Sequence, residues 1–211
     1  MIELTQNQDG IIGNQKSIDE LSKKQTATVL LISDSHGNYS TFNQIVQKFG
    51  KNCDALIFTG DGISDLAKLL SDSQNTPELN EKIPPVIAFA RGNNDPHQYP
   101  VTKNFTMDVP VRQVLNICSQ NVLIVHGHRQ GVSYGFEELA FEAQLTNSKI
   151  AVFGHTHISE ETYFGRNNEY KFINPGSCSL PRGGQHASFA VLTFTKTCVL
   201  TCFMPVGGFR Q

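Results

Sequence analysis

Five short apolar runs mark the first 153 residues of the chain: VLLIS at 29–33, ALIFT at 55–59, VIAFA at 86–90, VLIV at 122–125 and IAVF at 150–153. None alternates apolar with polar residues, and each is cut off by a polar cluster. Short runs rich in β-branched residues are expected of strands covered on both faces, where neither side of the pleat meets water. Between the runs the period changes. Phe42, Ile45, Val46 and Phe49 follow helical spacing, with Ser40 as the expected cap and Gly50 as the stop. Ile63, Leu66, Ala67 and Leu70 repeat the pattern, and so do Phe136, Leu139, Ala140 and Ala143 behind a cap expected at Ser133. Strand and helix in alternation predict an α/β layered fold.

The segment 72–85, with Pro77, Pro84 and Pro85, predicts a loop. Beyond residue 158 the helical period stops. TYF-GRNNE-YKFIN reads as a hairpin, and ASFAVLTF and CVLTCFMP as two further strands, so the last part is expected to be antiparallel and the whole mixed. Residues 1–26 are polar and weakly patterned. They predict an N-terminal extension outside the core, with a short helix near Ile18–Leu21, ahead of a single domain over 27–211.

Composition narrows the function classes. A chain of 211 residues is long enough for one well-buried domain. A net charge of −2 carries no electrostatic footprint for long nucleic acid or an acidic membrane. The five cysteines are scattered and include no C-x-x-C, which argues against a thiolate zinc site and for reduced, buried thiols in a cytoplasmic protein. The N-terminus lacks the apolar core of a secretory signal, and no stretch is long enough to span a bilayer. A soluble, cytoplasmic protein is expected.

The polar clusters at the ends of the apolar runs carry the chemistry. The first run leads into Asp34-Ser35-His36, the second into Gly60-Asp61, and the third into Arg91-Gly92-Asn93-Asn94-Asp95. The fourth leads into His126-Gly127-His128 and the fifth into Gly154-His155-Thr156-His157. In an open α/β sheet the carboxyl ends of the strands share one edge, where ligands bind, so residues far apart in sequence can converge. No Ser or Cys nucleophile motif and no G-x-x-x-x-G-K-[ST] phosphate loop is present. Carboxylate, carboxamide and imidazole form a mixed O/N set suited to first-row metals rather than calcium. The donors exceed the needs of one tetrahedral ion, which points to two metals, with Asp61 as the natural bridge.

D-x-H, G-D, G-N-x-D, H-G-H and G-H-T-H in this order resemble the calcineurin-like metallophosphoesterase superfamily. N-P-G-S at 174–177 and the compact length resemble its small phosphodiesterase branch, often called the YfcE type. The resemblance covers residues 28–195 and implies a four-layer αββα sandwich of two mixed sheets flanked by helices. It also implies two divalent ions, Mn²⁺ first, with Ni²⁺, Zn²⁺, Fe²⁺, Co²⁺ or Mg²⁺ as alternatives. Asp34, His36, Asp61 and His157 would hold one ion, and Asp61, Asn93, His126 and His155 the other. Asp61, Asn93 and His128 are the residues it assigns to catalysis, a hydroxide formed on the metals attacking phosphorus in line. His128 would also contact the phosphate, with Asn38 and Arg91 as further candidates for that contact; for Arg91 a surface salt bridge is the competing reading.

Many superfamily members have a histidine where this chain has Asn94, which cannot act as a general acid, so Asp95 is expected to be structural, capping the turn before Pro96. His97, His186 and Cys178 read as ordinary packing or loop residues, and Arg182-Gly183-Gly184 as a loop, with a substrate contact as the lesser reading. The expected substrate is a small phosphodiester; no membrane or long nucleic acid is expected. The alternatives are a scaffold of the retromer-subunit type and a nuclease. A homo-oligomer is compatible with the open β-edges.

Overall fold

Each apolar run becomes one strand, and the alternation of its side chains decides what lies on either side. The computed structural model describes residues 3–207. The helices are α1 (Gln15–Lys23), α2 (Tyr39–Phe49), α3 (Ile63–Asn75), the short α4 (Pro77–Asn80) and α5 (Glu137–Leu145). The first six strands are β1 (Thr26–Ile32), β2 (Ala55–Phe58), β3 (Val86–Phe89), β4 (Gln98–Thr102), β5 (Phe105–Asp108) and β6 (Arg112–Ile117). They are followed by β7 (Gln120–Val125), β8 (Ile150–Val152), β9 (Ser159–Phe164), β10 (Tyr170–Pro175), β11 (Ser188–Thr195) and β12 (Val199–Pro205).

Two five-stranded sheets result, in the orders β12-β11-β1-β2-β3 and β6-β7-β8-β10-β9, with β4 and β5 as a separate hairpin. In the first, β1, β2 and β3 are parallel, β11 is antiparallel to β1, and β12 is antiparallel to β11; in the second, β7, β8 and β10 are parallel, with β6 antiparallel to β7 and β9 to β10. Leu30, Ile32, Leu56, Phe58, Ile87 and Phe89 join the core shared with Phe42 and Ile45 of α2 and Leu66 and Leu70 of α3. Their neighbours Val29, Leu31, Ala55, Ile57, Val86 and Ala88 pack between the sheets against Val122, Ile124, Ile150, Val152 and Ile173. The outer face of the second sheet, with Leu123, Val125, Ala151 and Phe153, is covered by Leu139 and Ala143 of α5. The layers therefore run helix, sheet, sheet, helix, which explains why the runs are continuous: both faces of these strands are buried.

Several local expectations are corrected. Asn38, not Ser40, caps α2, its side chain accepting from Thr41 N at 3.2 Å. Gly50 keeps a helical φ of −63° and continues into a tight turn; a Cβ there would overlap the Lys82 carbonyl. The segment 72–85 is not all loop: α3 runs to Asn75, and Pro77 sits in the first turn of α4, where a missing N–H costs nothing. Phe136, not Ser133, precedes α5. Three of the five free cysteines are buried, whereas Cys198 and Cys202 are exposed.

The N-terminal segment is not outside the core. Ile11, Ile12 and Leu21 are buried, and Ile12 exchanges both backbone hydrogen bonds with Ile87 on the edge of the first sheet, at 2.9 and 2.8 Å. The helix expected near Ile18–Leu21 is α1, capped by Asn14, and its C-terminal carbonyls on Leu21 and Ser22 accept from Cys118 and Ser119 at 3.1 and 2.8 Å. A few apolar residues in a polar stretch are enough, because they meet a sheet edge that needs cover. Ile12→Ala should therefore cost about 2–5 kcal/mol, as for other buried Ile truncations. The denaturant midpoint measures it, and a loss within surface-substitution noise would return the segment to an appendage.

Candidate functional site

Both sheets present the carboxyl ends of their parallel strands to one place. Beyond β1, β2 and β3 lie Asp34, His36, Asp61 and Asn93; beyond β7 and β8 lie His126, His128, His155 and His157. The shared edge is thus built from both sheets of the sandwich. The H-x-H pair lies in the turn after β8 rather than on a strand. Asp34, His36, Asp61, His155 and His157 have φ of 52°, 47°, 54°, 69° and 61°. Non-glycine residues rarely adopt this left-handed region, which costs of order 1–3 kcal/mol each and clusters where surroundings hold a functional geometry. Gly92 and Gly154 make the crowding feasible: a Cβ on the first would overlap the Asp61 carboxylate, and one on the second would stand 2.6 Å from Asp34 Oδ2.

Asp34 Oδ1 lies 3.2 Å from His157 Nε2, 3.8 Å from His36 Nε2 and 4.0 Å from His126 Nε2. Asp61 Oδ2 lies 3.6 Å from His126 Nε2 and 3.8 Å from His36 Nε2, and the Nε2 atoms of His36 and His157 are 3.1 Å apart. The donors fall into two groups, Asp34–His36–His157 and Asp34–Asp61–His126, each with its ligand atoms within 4.8 Å of one another.

The ring orientations are fixed from behind. His126 Nδ1 donates to the Thr59 carbonyl at 2.7 Å and His157 Nδ1 to the Leu180 carbonyl at 2.6 Å. A carbonyl only accepts, so the proton sits on Nδ1 and the neutral ring turns its Nε2 lone pair inward. Asp34 Oδ1 and His126 Nε2 are buried without a hydrogen-bond partner among the described residues. Lone pairs and carboxylate oxygens facing one another in a water-poor site call for a cation, and this donor set fits divalent metal. The same field acts on protons. Burial opposes the charged imidazoles of His126 and His157, but Asp61 and Asp34 outweigh it and raise both. Burial likewise pushes the Asp61 carboxyl up, and His126 with the Asn94 donors more than reverses this, holding it well below the usual carboxylate range.

His155 stands outside both groups, its Nδ1 meeting Asn93 Oδ1 at 3.1 Å and its ring centroid 5.2 Å from that of His126. His128 lies beside them with its ring tilted, its centroid 5.3 Å from that of His126 and 6.1 Å from that of His155, and its buried Nδ1 has no partner among the described residues. Burial, then the charges of His126, His155 and Arg129, push His128 down to about 4. Two candidates are used elsewhere. Asn38 is exposed and spends its side chain on capping α2, and Arg91 is buried with its guanidinium on the His97 imidazole, not in a surface salt bridge.

The supporting residues are the part that sequence reasoning missed. Asp95 does not cap the turn before Pro96. Its carboxylate accepts from the backbone N–H groups of Asp61, Gly62, Ile63 and Gly92 at 2.7, 3.0, 3.0 and 2.9 Å, tying two strand ends and the start of α3 together. Asn94 donates its backbone and side-chain amides to Asp61 at 2.9 and 2.7 Å. Ser177 and Ser179 hold the carbonyls of Asp34 and Ser35 at 2.7 and 2.8 Å. The carbonyls that orient His126 and His157 leave no trace in a sequence.

Comparison with known proteins gives the family. The chain is 28% identical over 183 residues to the probable metallophosphoesterase YsnB of Bacillus subtilis, covering 85% of this chain and 92% of that one. It is 29% identical over 170 residues to the phosphodiesterase YfcE of Escherichia coli K12, covering 78% and 86%. Among solved structures, a predicted phosphoesterase from Streptococcus pneumoniae superposes with a TM-score of 0.63 at 22% identity, covering 86% of this chain and 91% of that one. Vacuolar protein sorting 29 from Cryptosporidium parvum gives 0.64 at 19% identity, covering 89% and 95%. These structural likenesses extend the fold, a mixed two-sheet α/β sandwich. The model of the calcineurin-like phosphoesterase superfamily domain matches residues 28–197, and the chain belongs to that superfamily.

Proposed function

We propose that the protein is a two-metal phosphodiesterase acting on a small phosphodiester. The observation that carries the reading is the convergence of Asp34, Asp61, His126 and His157, with an unpartnered carboxylate oxygen and an unpartnered imidazole nitrogen buried at its centre. Asp34, His36, Asp61 and His157 would hold one ion, and Asp61, Asn93, His126 and His155 the second. Bound divalent ions supply a water acidified towards neutrality and positive charge against the phosphoryl oxygens. Manganese is the metal we favour. The net charge of −2 supports a small substrate over long nucleic acid, and relatives from bacterial cells support a cytoplasmic setting.

The chain's own groups have distinct tasks. Asp61 stays ionised across the working pH range, because its surroundings depress its proton affinity. His126 and His157 offer lone pairs without a search over tautomers, their Nδ1 protons being committed to Thr59 and Leu180. His128, neutral at pH 7, can donate from a ring nitrogen to a non-bridging phosphate oxygen. Asn94 holds Asp61 and has no proton to give, so the leaving group departs without acid assistance from this position. This favours esters with good leaving groups. The likeness to vacuolar protein sorting 29 supports one rival reading, a scaffold of the same fold.

The deciding measurement is hydrolysis of a chromogenic phosphodiester and the matching monoester by chelator-stripped protein, before and after adding Mn²⁺, Ni²⁺, Zn²⁺ or Mg²⁺. Metal-dependent turnover of the diester, with little on the monoester, is expected; bound ions without turnover of either would favour the scaffold. Asp61→Asn should lower diester turnover by about a hundredfold or more, within the range that positioned catalytic groups contribute. It should also weaken both ions in equilibrium metal titration, whereas Asn93→Ala should weaken one. Retention of two tight ions in Asp61→Asn would overturn the bridging role. Asp95→Ala, which strips four backbone donors of their acceptor, should lower stability by about 2–4 kcal/mol in denaturant titration.

A further inference from the structure

Among the described residues the buried carboxylates are Asp34, Asp61 and Asp65. The first two are candidate metal ligands; Asp65, in the first turn of α3 and 4% exposed, belongs to neither ligand group. Its Oδ2 accepts from Ser35 Oγ at 2.6 Å and from Gly37 N at 3.0 Å. Those two residues flank His36, so one carboxylate oxygen pins the loop on either side of a candidate ligand. The approach is close enough to need a glycine at the start of α3: a Cβ on Gly62 would overlap Ser35 Oγ. Burying a carboxylate against two neutral donors is costly. The helix start does not call for it, because Asp95 already accepts from Gly62 N and Ile63 N.

His36 is the ligand that needs such support. The rings of His126 and His157 are anchored through Nδ1 to the carbonyls of Thr59 and Leu180. His36 has no such anchor among the described residues, its Nε2 facing that of His157, so the position of its ring follows from its backbone. That backbone is left-handed, with a φ of 47°, and His36 N donates to the Asp61 carbonyl at 2.9 Å. The Ser35 carbonyl accepts from Asn38 N at 2.9 Å and from Ser179 Oγ at 2.8 Å. Asp65 adds the tethers on the Ser35 hydroxyl and the Gly37 amide.

We propose that Asp65 is a positioning residue. By fastening Ser35 and Gly37 it aims the His36 imidazole, and so sets the affinity of the ion that Asp34, His36 and His157 would hold. Partners behind a ligand commonly tune metal affinity in this way, and here the support reaches the ring through the backbone rather than through its second nitrogen. The inference rests on the two-metal reading above.

The test is calorimetric titration of chelator-stripped protein with Mn²⁺, for wild type, Asp65→Ala, Asp65→Asn, His36→Ala and the double variant of Asp65→Ala with His36→Ala. Asp65→Ala should weaken one of the two binding steps by about tenfold or more and leave the other unchanged. Asp65→Asn keeps an acceptor oxygen without the charge and should retain most of the affinity. In the His36→Ala background Asp65→Ala should cost little more, because its effect passes through that ring. Additive losses, or equal weakening of both steps, would overturn the proposal. So would an Asp65→Asn as impaired as Asp65→Ala, which would leave Asp65 a charge at the helix start. If Asp65→Ala does not fold, Ser35→Ala, which removes one of the two tethers, carries the same comparison. Amide hydrogen exchange of the stripped proteins gives a readout without metal. Asp65→Ala should speed exchange at His36 and Gly37 by about tenfold, the equivalent of one hydrogen bond, with the amides of β1 unchanged. If wild type takes up no ion, the two-metal reading fails, and the exchange data decide alone: unchanged protection at His36 in Asp65→Ala would end the positioning role.

Discussion

Two carboxylates and several imidazole lone pairs crowded into a buried space repel one another unless a cation lies between them. This electrostatic constraint organises the rest of the molecule. Asp34 Oδ1 and His126 Nε2 have no neutral partner among the described residues, and the second nitrogens of His126 and His157 are committed to backbone carbonyls. Holding such a set in place takes left-handed backbone at five of the candidate residues, glycines where a Cβ would collide, and a carboxylate, Asp95, that gathers four N–H groups. The cost falls on the loops, and the layers beneath offset it.

Those layers supply rigidity in a simple way. Each central strand is apolar on both sides, so it is gripped between a helix layer and the opposite sheet. The strand ends cannot shift without disturbing two cores at once. Loops departing from such strands inherit that precision, which is why residues from five chain segments can be held within a few ångströms of one another.

Side-chain identity and period are the properties a sequence records, and they made the framework legible. The five runs gave their strands, Ile63–Leu70 gave α3, and the D-x-H, G-D and G-H-T-H clusters drew attention to residues that do converge. The hairpin β4–β5 and strand β6 were not anticipated, since QYPVT and RQVLNI are partly polar and interrupted by proline or asparagine. Ile11 and Ile12 were lost in a polar stretch because periodicity cannot show a single bridge to a sheet edge. Asp95 was visible as part of G-N-x-D, but its task depends on loops about thirty residues away in sequence. Arg91 stood at the right strand end, and its side chain turned into the protein towards His97. A strand end fixes where a residue begins, not where a long side chain goes.

The Ile12–Ile87 bridge has a consequence for behaviour in concentrated solution. β3 is the outermost strand of the first sheet, and an uncovered edge of that kind is a template for pairing with another chain. The N-terminal segment occupies that edge with its own backbone. Losing it, by proteolytic trimming or a late start of translation, would leave a flat apolar strand open on the side that carries the Asn93 loop. Self-association would then compete with folding. The polar stretch that looks dispensable in the sequence thus serves as protection against aggregation.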